Sequence, residues 1–203
     1  TALALSASSI AENEAGISVG TINAFDPDSG ESLTYSLSGA DAAFFELVGS
    51  TLKLKASTTA DYETQASYAV VVTATDSGGL TTSQVLVVSV TDVNESASLT
   101  LSNTTVVENI AGGSVGTITV NDPDLDDTYT LSVTGADAAL FEISGSTLKL
   151  KASTTADYET QSSYSVTVTA TDAGGLETPE AFTVSVANVN ESQTAVVLSA
   201  TLI

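Results

Sequence analysis

Apolar and polar residues alternate along this chain in short runs, each closed by turn residues. The clearest runs are ISVGTINAF (17–25), LTYSLSG (33–39), TLKLK (51–55), SYAVVVTATD (67–76) and SQVLVVSVTD (83–92). A two-residue period is the signature of a half-buried strand, and the Val and Thr content fits it. LALSASSI (3–10) supplies a strand before these and FFEL (44–47) a short one among them. No window sustains a helical period. The pattern predicts a seven-stranded Greek-key β-sandwich. It places Leu52 and Leu54 on the inner face and Lys53 and Lys55 on the outer one, where lysines guard an edge strand. It also predicts that Asp41, and Asp137 in the same GADAA context, cap one helical turn. Tyr68 and Tyr164, each opening a strand, have the position of a tyrosine corner.

The whole pattern occurs twice. TADYETQASYAVVVTATDSGGL (59–80) returns as TADYETQSSYSVTVTATDAGGL (155–176), an offset of 96 positions. The acids recur in register: Glu12 with Glu108, Asp26 and Asp28 with Asp122 and Asp124, Asp61 and Glu63 with Asp157 and Glu159, and Asp76 with Asp172. A period of that length is a domain rather than a solenoid unit. The fold class is therefore all-β, two tandem sandwiches, with one repeat over 1–95 and another over 96–191. The tail 192–203 aligns with the start of a third repeat, so the chain reads as a segment of a longer array.

Composition removes many chemistries. The chain has no Cys and no His, so disulfides, Ser-His-Asp and Cys-His catalysis and the usual zinc ligands are absent. The formal net charge is −21, and the four cations are Lys53, Lys55, Lys149 and Lys151, at the same two repeat positions. Such a chain repels nucleic acid and anionic membranes, and attracts divalent cations. No run approaches the length of a membrane helix.

In an antiparallel sandwich successive loops alternate between the two ends. Glu12 falls in the connection between the first and second strands, Asp61 and Glu63 between the fifth and sixth, and Asp92, Asn94 and Glu95 after the seventh. All lie at one end of the first repeat. Asp122 and Asp124, and also Asp172, fall at the opposite end of the second repeat, which faces that joint. Eight carboxylates are thus expected to converge with the Asn94 amide. Like charges about 4 Å apart repel by ~1 kcal/mol in water and by ~4 kcal/mol at an effective dielectric near 20. Calcium resolves this, because it takes 6–8 oxygen ligands in flexible geometry. Magnesium wants a stricter octahedron, and transition metals normally bring His or Cys.

These motifs resemble the cadherin repeats, in particular the cadherin-like domains of large bacterial surface proteins. The matching residues are Glu12-Asn13 with Gly16, DYE (Asp61–Glu63), the linker DVNE (Asp92–Glu95), DPD (Asp122, Asp124) and ATD (Asp172). The resemblance implies about three Ca2+ ions at the joint. Glu12, Asp61, Glu63, Asp92 and Glu95 would hold the two nearer the first repeat, and Asp124 would bridge. Asn94, Asp122, Asp124 and Asp172 would hold the third, with the Val93 carbonyl as a further ligand. The linker departs from the animal pattern at Glu95, and in the second repeat it reads NVNE, so Asn188 removes one charge. Asp26, Asp28 and Asp76 would await a preceding linker, and Glu108, Asp157, Glu159, Asn190 and Glu191 a following repeat.

The function implied is a Ca2+-dependent extracellular adhesion or spacer module at the cell surface, rigidified by interdomain calcium, within a large bacterial adhesin. Its partners would be neighbouring repeats, and possible further ones are a second copy of the chain or a cell-surface polysaccharide. The alternative is a Ca2+-dependent polysaccharide-binding module, whose candidate aromatics are Tyr35, Phe44 and Phe45. Paired carboxylates also occur in glycosidases, but duplicated sets without an aromatic cleft do not suit an enzyme. Tyr62 and Tyr158 read as spacers between ligand positions. Asn94, Asn103 and Asn190 match the N-x-S/T pattern, with Asn94 better explained as a ligand.

Overall fold

The computed structural model describes residues 2–25, 32–124 and 127–192. The turn holding Asp26 and Asp28, and the tail beyond Ser192, lie outside the described residues. The chain divides into two compact units, Thr1–Asn94 and Glu95–Ile203.

The first unit contains β1 (Ala2–Leu5), β2 (Ser9–Ala11), β3 (Ser18–Phe25), β4 (Thr34–Ser38), β5 (Phe45–Val48), β6 (Thr51–Leu54), β7 (Ser67–Thr75) and β8 (Thr81–Thr91). They form two four-stranded sheets in the orders β1-β3-β6-β5 and β2-β8-β7-β4. After β3 the chain crosses between sheets from β3 to β4, back from β4 to β5 and again from β6 to β7, the Greek-key path of a sandwich. The second unit repeats this with β9 (Ser98–Leu101), β10 (Thr105–Val107), β11 (Ser114–Asn121), β12 (Tyr129–Thr134), β13 (Phe141–Ser144), β14 (Thr147–Leu150), β15 (Ser163–Asp172) and β16 (Glu177–Ala187). Its sheets run β13-β14-β11-β9 and β10-β16-β15-β12.

Seven runs become eight strands because the first is split. β1 pairs antiparallel with β3 in one sheet, whereas β2 pairs parallel with β8 in the other. Small residues carry the chain across, and the Ser6 hydroxyl accepts the Thr21 N–H at 2.9 Å. Gly20 sits beneath the crossing, where a Cβ would lie 2.9 Å from the Ala7 nitrogen. At the equivalent Gly116 it would lie 2.6 Å from the Asn103 carbonyl oxygen. A side chain at either glycine would push the strands apart.

The cores follow the alternation. Leu52, Leu54, Val70, Val72 and Val88 are fully buried in the first unit, as are Leu148, Leu150, Val166, Val168 and Val184 in the second. Each such side chain contributes about 1.5–3 kcal/mol of burial. Tyr68 meets Phe45 edge-on with centroids 5.5 Å apart, and Tyr164 meets Phe141 in the same way at 5.5 Å. Phe45 is buried and so is removed from the candidate sugar platform, while Phe44 lies edge-on to Tyr68.

Two local expectations are corrected. β6 is an inner strand between β3 and β5, so its lysine guards no edge. Lys53 stands opposite Glu46 on β5, with Nζ 3.5 Å from Oε1, and Lys149 pairs with Glu142 at 3.4 Å. Such exposed pairs contribute at most about 1 kcal/mol. Asp41 precedes a one-turn 3-10 helix, Ala42–Phe44, but its side chain makes no capping bond there. β4 ends at Ser38, opposite Val71, and leaves the Ala69 N–H beyond the ladder. The Asp41 carboxylate accepts that N–H at 2.7 Å, and Asp137 accepts the Ser165 N–H at 2.7 Å.

Candidate metal centre

In the first unit the ends of β2 and β8 and the connection before β7 meet at one place. β2 runs parallel to β8 with Ala11 opposite Thr91, so Glu12 and Asp92 emerge side by side. The Glu12 N–H donates to the Thr91 carbonyl at 3.3 Å. β7 starts antiparallel to β8 with Ser67 opposite Ser89, which brings the 55–66 connection to the same end.

Glu12 is the organising side chain. It is 2% exposed. Its Oε2 accepts the Tyr62 N–H at 2.7 Å, and its Oε1 accepts the Val93 N–H at 2.8 Å. Two backbone donors on an ionised carboxylate make strong bonds that fix its position. Each oxygen keeps further lone pairs, and carboxylate oxygens of Glu12, Asp61 and Glu63 lie within 4.8 Å of one another. Asp61 is itself positioned, with Oδ1 accepting the Thr64 N–H at 2.8 Å. Tyr62, between the two acids, is 37% exposed and contributes its backbone N–H, which fits a spacer. Asn13 and Asn109, which follow the two buried glutamates, take the left-handed conformation with φ of 66° and 63°. Asn tolerates that region better than most residues, so these asparagines turn the chain directly after the glutamate.

The second unit holds a separate acidic group on the connection after β11. Asp122 Oδ1 accepts the Asp124 N–H at 3.1 Å, and Asp124 Oδ2 accepts the Glu95 N–H at 2.6 Å. The remaining oxygens, Asp122 Oδ2 and Asp124 Oδ1, are buried with no hydrogen-bond partner. Asp172 ends β15 opposite Tyr129, the first residue of β12. Its Oδ1 accepts the Leu176 N–H at 2.8 Å.

At its other end the second unit repeats the glutamate arrangement. Glu108 is 1% exposed and accepts the Tyr158 N–H at 2.8 Å and the Val189 N–H at 2.6 Å. It forms a group with Asp157 and Glu159. Here sequence reading missed a feature. The Asn188 amide donates to Glu159 Oε1 at 3.0 Å, and the Asn109 amide donates to Glu191 Oε1. Where the first repeat has Asp92, the second has a donor that already occupies one carboxylate oxygen. The Asp-to-Asn replacement was visible in the sequence, but the direction of its amide was not.

This donor set fits calcium. Buried carboxylate oxygens without partners are costly unless a cation meets them. The lysines are engaged elsewhere: Lys53 and Lys149 with their cross-strand glutamates, and Lys55 and Lys151 through bonds to the Ala43 and Ala139 carbonyls at 2.6 and 2.7 Å. All-oxygen ligation by carboxylates and carbonyls is the preference of a hard divalent ion.

The electrostatics reach the core. Burial raises the Tyr68 phenol above its ordinary pKa, and the negative charges of Asp41 and then Asp61 add to the shift. Tyr164 is raised by burial first and then by Asp137 and Asp157.

Known proteins share this fold. The cadherin domain family model matches residues 6–91 and again 102–190. Human protocadherin gamma-A11 is 30% identical over 179 residues, covering 82% of this chain and 19% of that protein. Human cadherin-related family member 2 is 31% identical over 194 residues, covering 85% of this chain and 15% of that protein. The chain thus spans less than a fifth of either relative. Among solved structures, the EC1-2 fragment of human protocadherin-24 superposes with a TM-score of 0.66 at 21% identity, over 92% of this chain and 98% of the fragment. The protocadherin gammaB7 EC3-6 cis-dimer gives a TM-score of 0.62 at 25% identity, over 93% of this chain and 48% of that one. These relatives are animal proteins, not bacterial adhesins. With the family model matching both sandwiches, the chain belongs to the cadherin domain family, as two tandem domains.

Proposed function

We propose that this chain is a Ca2+-dependent extracellular adhesion segment in which calcium bound around the linker stiffens two cadherin domains. The observation that carries the reading is Glu12, a buried carboxylate fastened by two backbone N–H groups beside Asp61 and Glu63. The partnerless oxygens of Asp122 and Asp124 support it from the second domain. Cadherin domains bind Ca2+ at interdomain linkers, and the family's proteins are adhesion proteins rather than enzymes.

Glu12, Asp61, Glu63, Asp92 and Glu95 are the proposed ligands nearer the first domain, and Asp124 the bridging one. Asn94, Asp122, Asp124 and Asp172 are the proposed ligands nearer the second, with the Val93 carbonyl as an added oxygen. About three ions are proposed. Calcium would supply positive charge and ligand bonds that cross the linker. The protein's own residues do the positioning: Glu12 ties the Tyr62 and Val93 backbones together, and the Glu95 N–H orients Asp124.

An extracellular location follows the family. No helix among the described residues is long and apolar enough to cross a membrane. The bacterial-surface context rests on composition, a cysteine-free acidic chain rich in Thr, Ser, Ala and Val. A calcium titration followed by calorimetry and small-angle scattering tests the reading. The expected result is saturable binding at about 10⁻⁴–10⁻³ M with a longer, stiffer particle. Absence of binding at about 10 mM calcium would refute it.

A further inference from the structure

Each domain contains one parallel pair of strands, and the two pairs are not equally fastened. β2 runs beside β8 with Ser9 opposite Ser89 and Ala11 opposite Thr91. β10 runs beside β16 with Thr105 opposite Ser185 and Val107 opposite Ala187. The backbone bonds flanking the pairs match. The Ser89 N–H donates to the Ser8 carbonyl and the Ser185 N–H to the Thr104 carbonyl, both at 2.8 Å. The Glu12 and Glu108 N–H groups donate to the Thr91 and Ala187 carbonyls, both at 3.3 Å. The side chains do not match. The Thr91 hydroxyl donates to the Ile10 carbonyl at 3.1 Å, directly across the first pair. Ala187, at the same position of the second domain, has no hydroxyl. β8 is also tied to β7 by side chains, the Thr73 and Ser83 hydroxyls lying 2.8 Å apart. The corresponding cross-strand pair is Thr169 with Pro179, which cannot form that bond.

Strand direction makes this difference matter. The chain enters a domain at its first strand and leaves after its last. Because β2 and β8 point the same way, a pull on the two ends of the domain slides one strand along the other. Sliding strains every rung of a parallel pair at once, whereas a hairpin peeled from one end loses its rungs singly. Bonds that must break together before the chain can lengthen raise the barrier to forced unfolding, which the unfolding rate governs. The Thr91 hydroxyl adds a bond to that set in the first domain, and Ala187 supplies none in the second. Asn188 and Glu191, bonded to Glu159 and Asn109, follow the end of β16 and are exposed. Tension meets those two bonds before it meets the strand pair, so they do not share its load.

We propose that the two domains form a graded mechanical series, in which the second unfolds first under tension while the first holds. The duplication makes the comparison internal. Topology, register and flanking backbone bonds are shared, so the difference falls on Thr91 against Ala187 and Ser83 against Pro179. Unravelling one repeat of 96 residues releases roughly 300 Å of chain. A tether that lengthens in this way relieves the tension before its attachment or its stronger neighbour gives way. The inference rests on the adhesive reading above for its purpose, since a segment is pulled only when it joins two anchored bodies. Its residues are not among the proposed calcium ligands.

Force-clamp pulling of the whole chain through handles at its two ends tests it, in chelator so that metal adds nothing to either event. Two steps of similar length and unequal lifetime are expected. Thr91→Ala should shorten the longer lifetime by about threefold or more, the scale of one net hydrogen bond, and leave the shorter one unchanged. Ala187→Thr should lengthen the shorter lifetime. Unfolding in urea does not slide the strands lengthwise, so its rate should respond less to either substitution. Equal lifetimes in the wild type, no response to Thr91→Ala, or a response confined to the shorter step overturns the proposal. An equally large change in urea overturns it too, by making Thr91 a general stabiliser. Calcium titration of the same protein separates this inference from the reading beneath it. Unequal steps that follow Thr91 and Ala187 in a chain that binds no calcium keep the series and remove the metal. Calcium binding with steps indifferent to both substitutions does the reverse.

Discussion

Glu12 and Val93 stand 81 positions apart in the chain, yet the Glu12 carboxylate holds the Val93 N–H at 2.8 Å. That bond fastens the exit of the first domain to its own second strand. Glu12 therefore has a structural role that does not depend on metal. Glu12→Ala leaves the Tyr62 and Val93 N–H groups without their acceptor, and charge-assisted bonds of this kind are worth about 1.5–3 kcal/mol each. Urea unfolding in chelator should show a loss of about 2–4 kcal/mol. A variant that loses stability only in calcium would contradict the structural role.

Asp124 has the opposite profile. One oxygen is engaged by the Glu95 N–H and the other is buried without a partner. Without metal, Asp124→Ala removes a buried charge along with one hydrogen bond, so stability should change little. With calcium at ten times its Kd, each bound ion adds about 1.4 kcal/mol. Thermal melting should therefore show a calcium-induced rise in the wild type and most of that rise absent in Asp124→Ala.

Asn188 offers a test of sign. Its amide donates to Glu159 in the second domain. Asn188→Asp replaces a donor by a second negative charge beside Glu159. In chelator the variant should be less stable by up to about 1 kcal/mol, since the pair is exposed. In millimolar calcium the added carboxylate becomes a ligand, and the difference should shrink or reverse. Melting both proteins with and without calcium reads the crossing directly.

The two buried tyrosines set an alkaline limit. Burial, then Asp41 and Asp61, raise the Tyr68 pKa, and burial, then Asp137 and Asp157, raise that of Tyr164. A group whose folded pKa exceeds its unfolded value binds its proton more tightly when folded. Its contribution is complete below the unfolded value of about 10 and is lost as pH rises through the folded value. Stability should fall above about pH 10, with phenolate absorbance appearing together with unfolding. Y68F/Y164F should flatten that fall.

Much of this was legible in the sequence, for stated reasons. Two-residue alternation marks which side of a strand is buried, so Leu52 and Leu54 are assigned to the inner face from sequence, and both are fully buried. The alternation of loops between the two ends of a sandwich located Glu12, Asp61 and Glu63 at one end, and their carboxylate oxygens lie within 4.8 Å of one another. The split of the first strand was missed although a signal exists. Leu3 and Leu5 are buried or partly buried at odd positions, while Ile10 is buried at an even one. That change of phase marks a change of sheet. Leu99, Leu101 and Val106 repeat it. Asp41 was misread because a helical cap and a missing ladder rung ask for the same residue type, and only the relative lengths of β4 and β7 distinguish them. Asn103 fits a glycan acceptor pattern, but its amide donates to the Thr105 and Val115 carbonyls, both at 2.8 Å. A sequence pattern carries no record of how a side chain is already employed.

The lysines have a practical consequence. The chain has no arginine, and its lysines sit in β6 and β14 or one residue beyond. Both strands are flanked by partners on each side. Trypsin thus finds two cleavage points in each half of the duplication, one inside a central strand and one a single residue past its end. Fragments cut near residue 54 or near residue 150 would report separately on the opening of either domain, giving a two-channel unfolding clock without any introduced label.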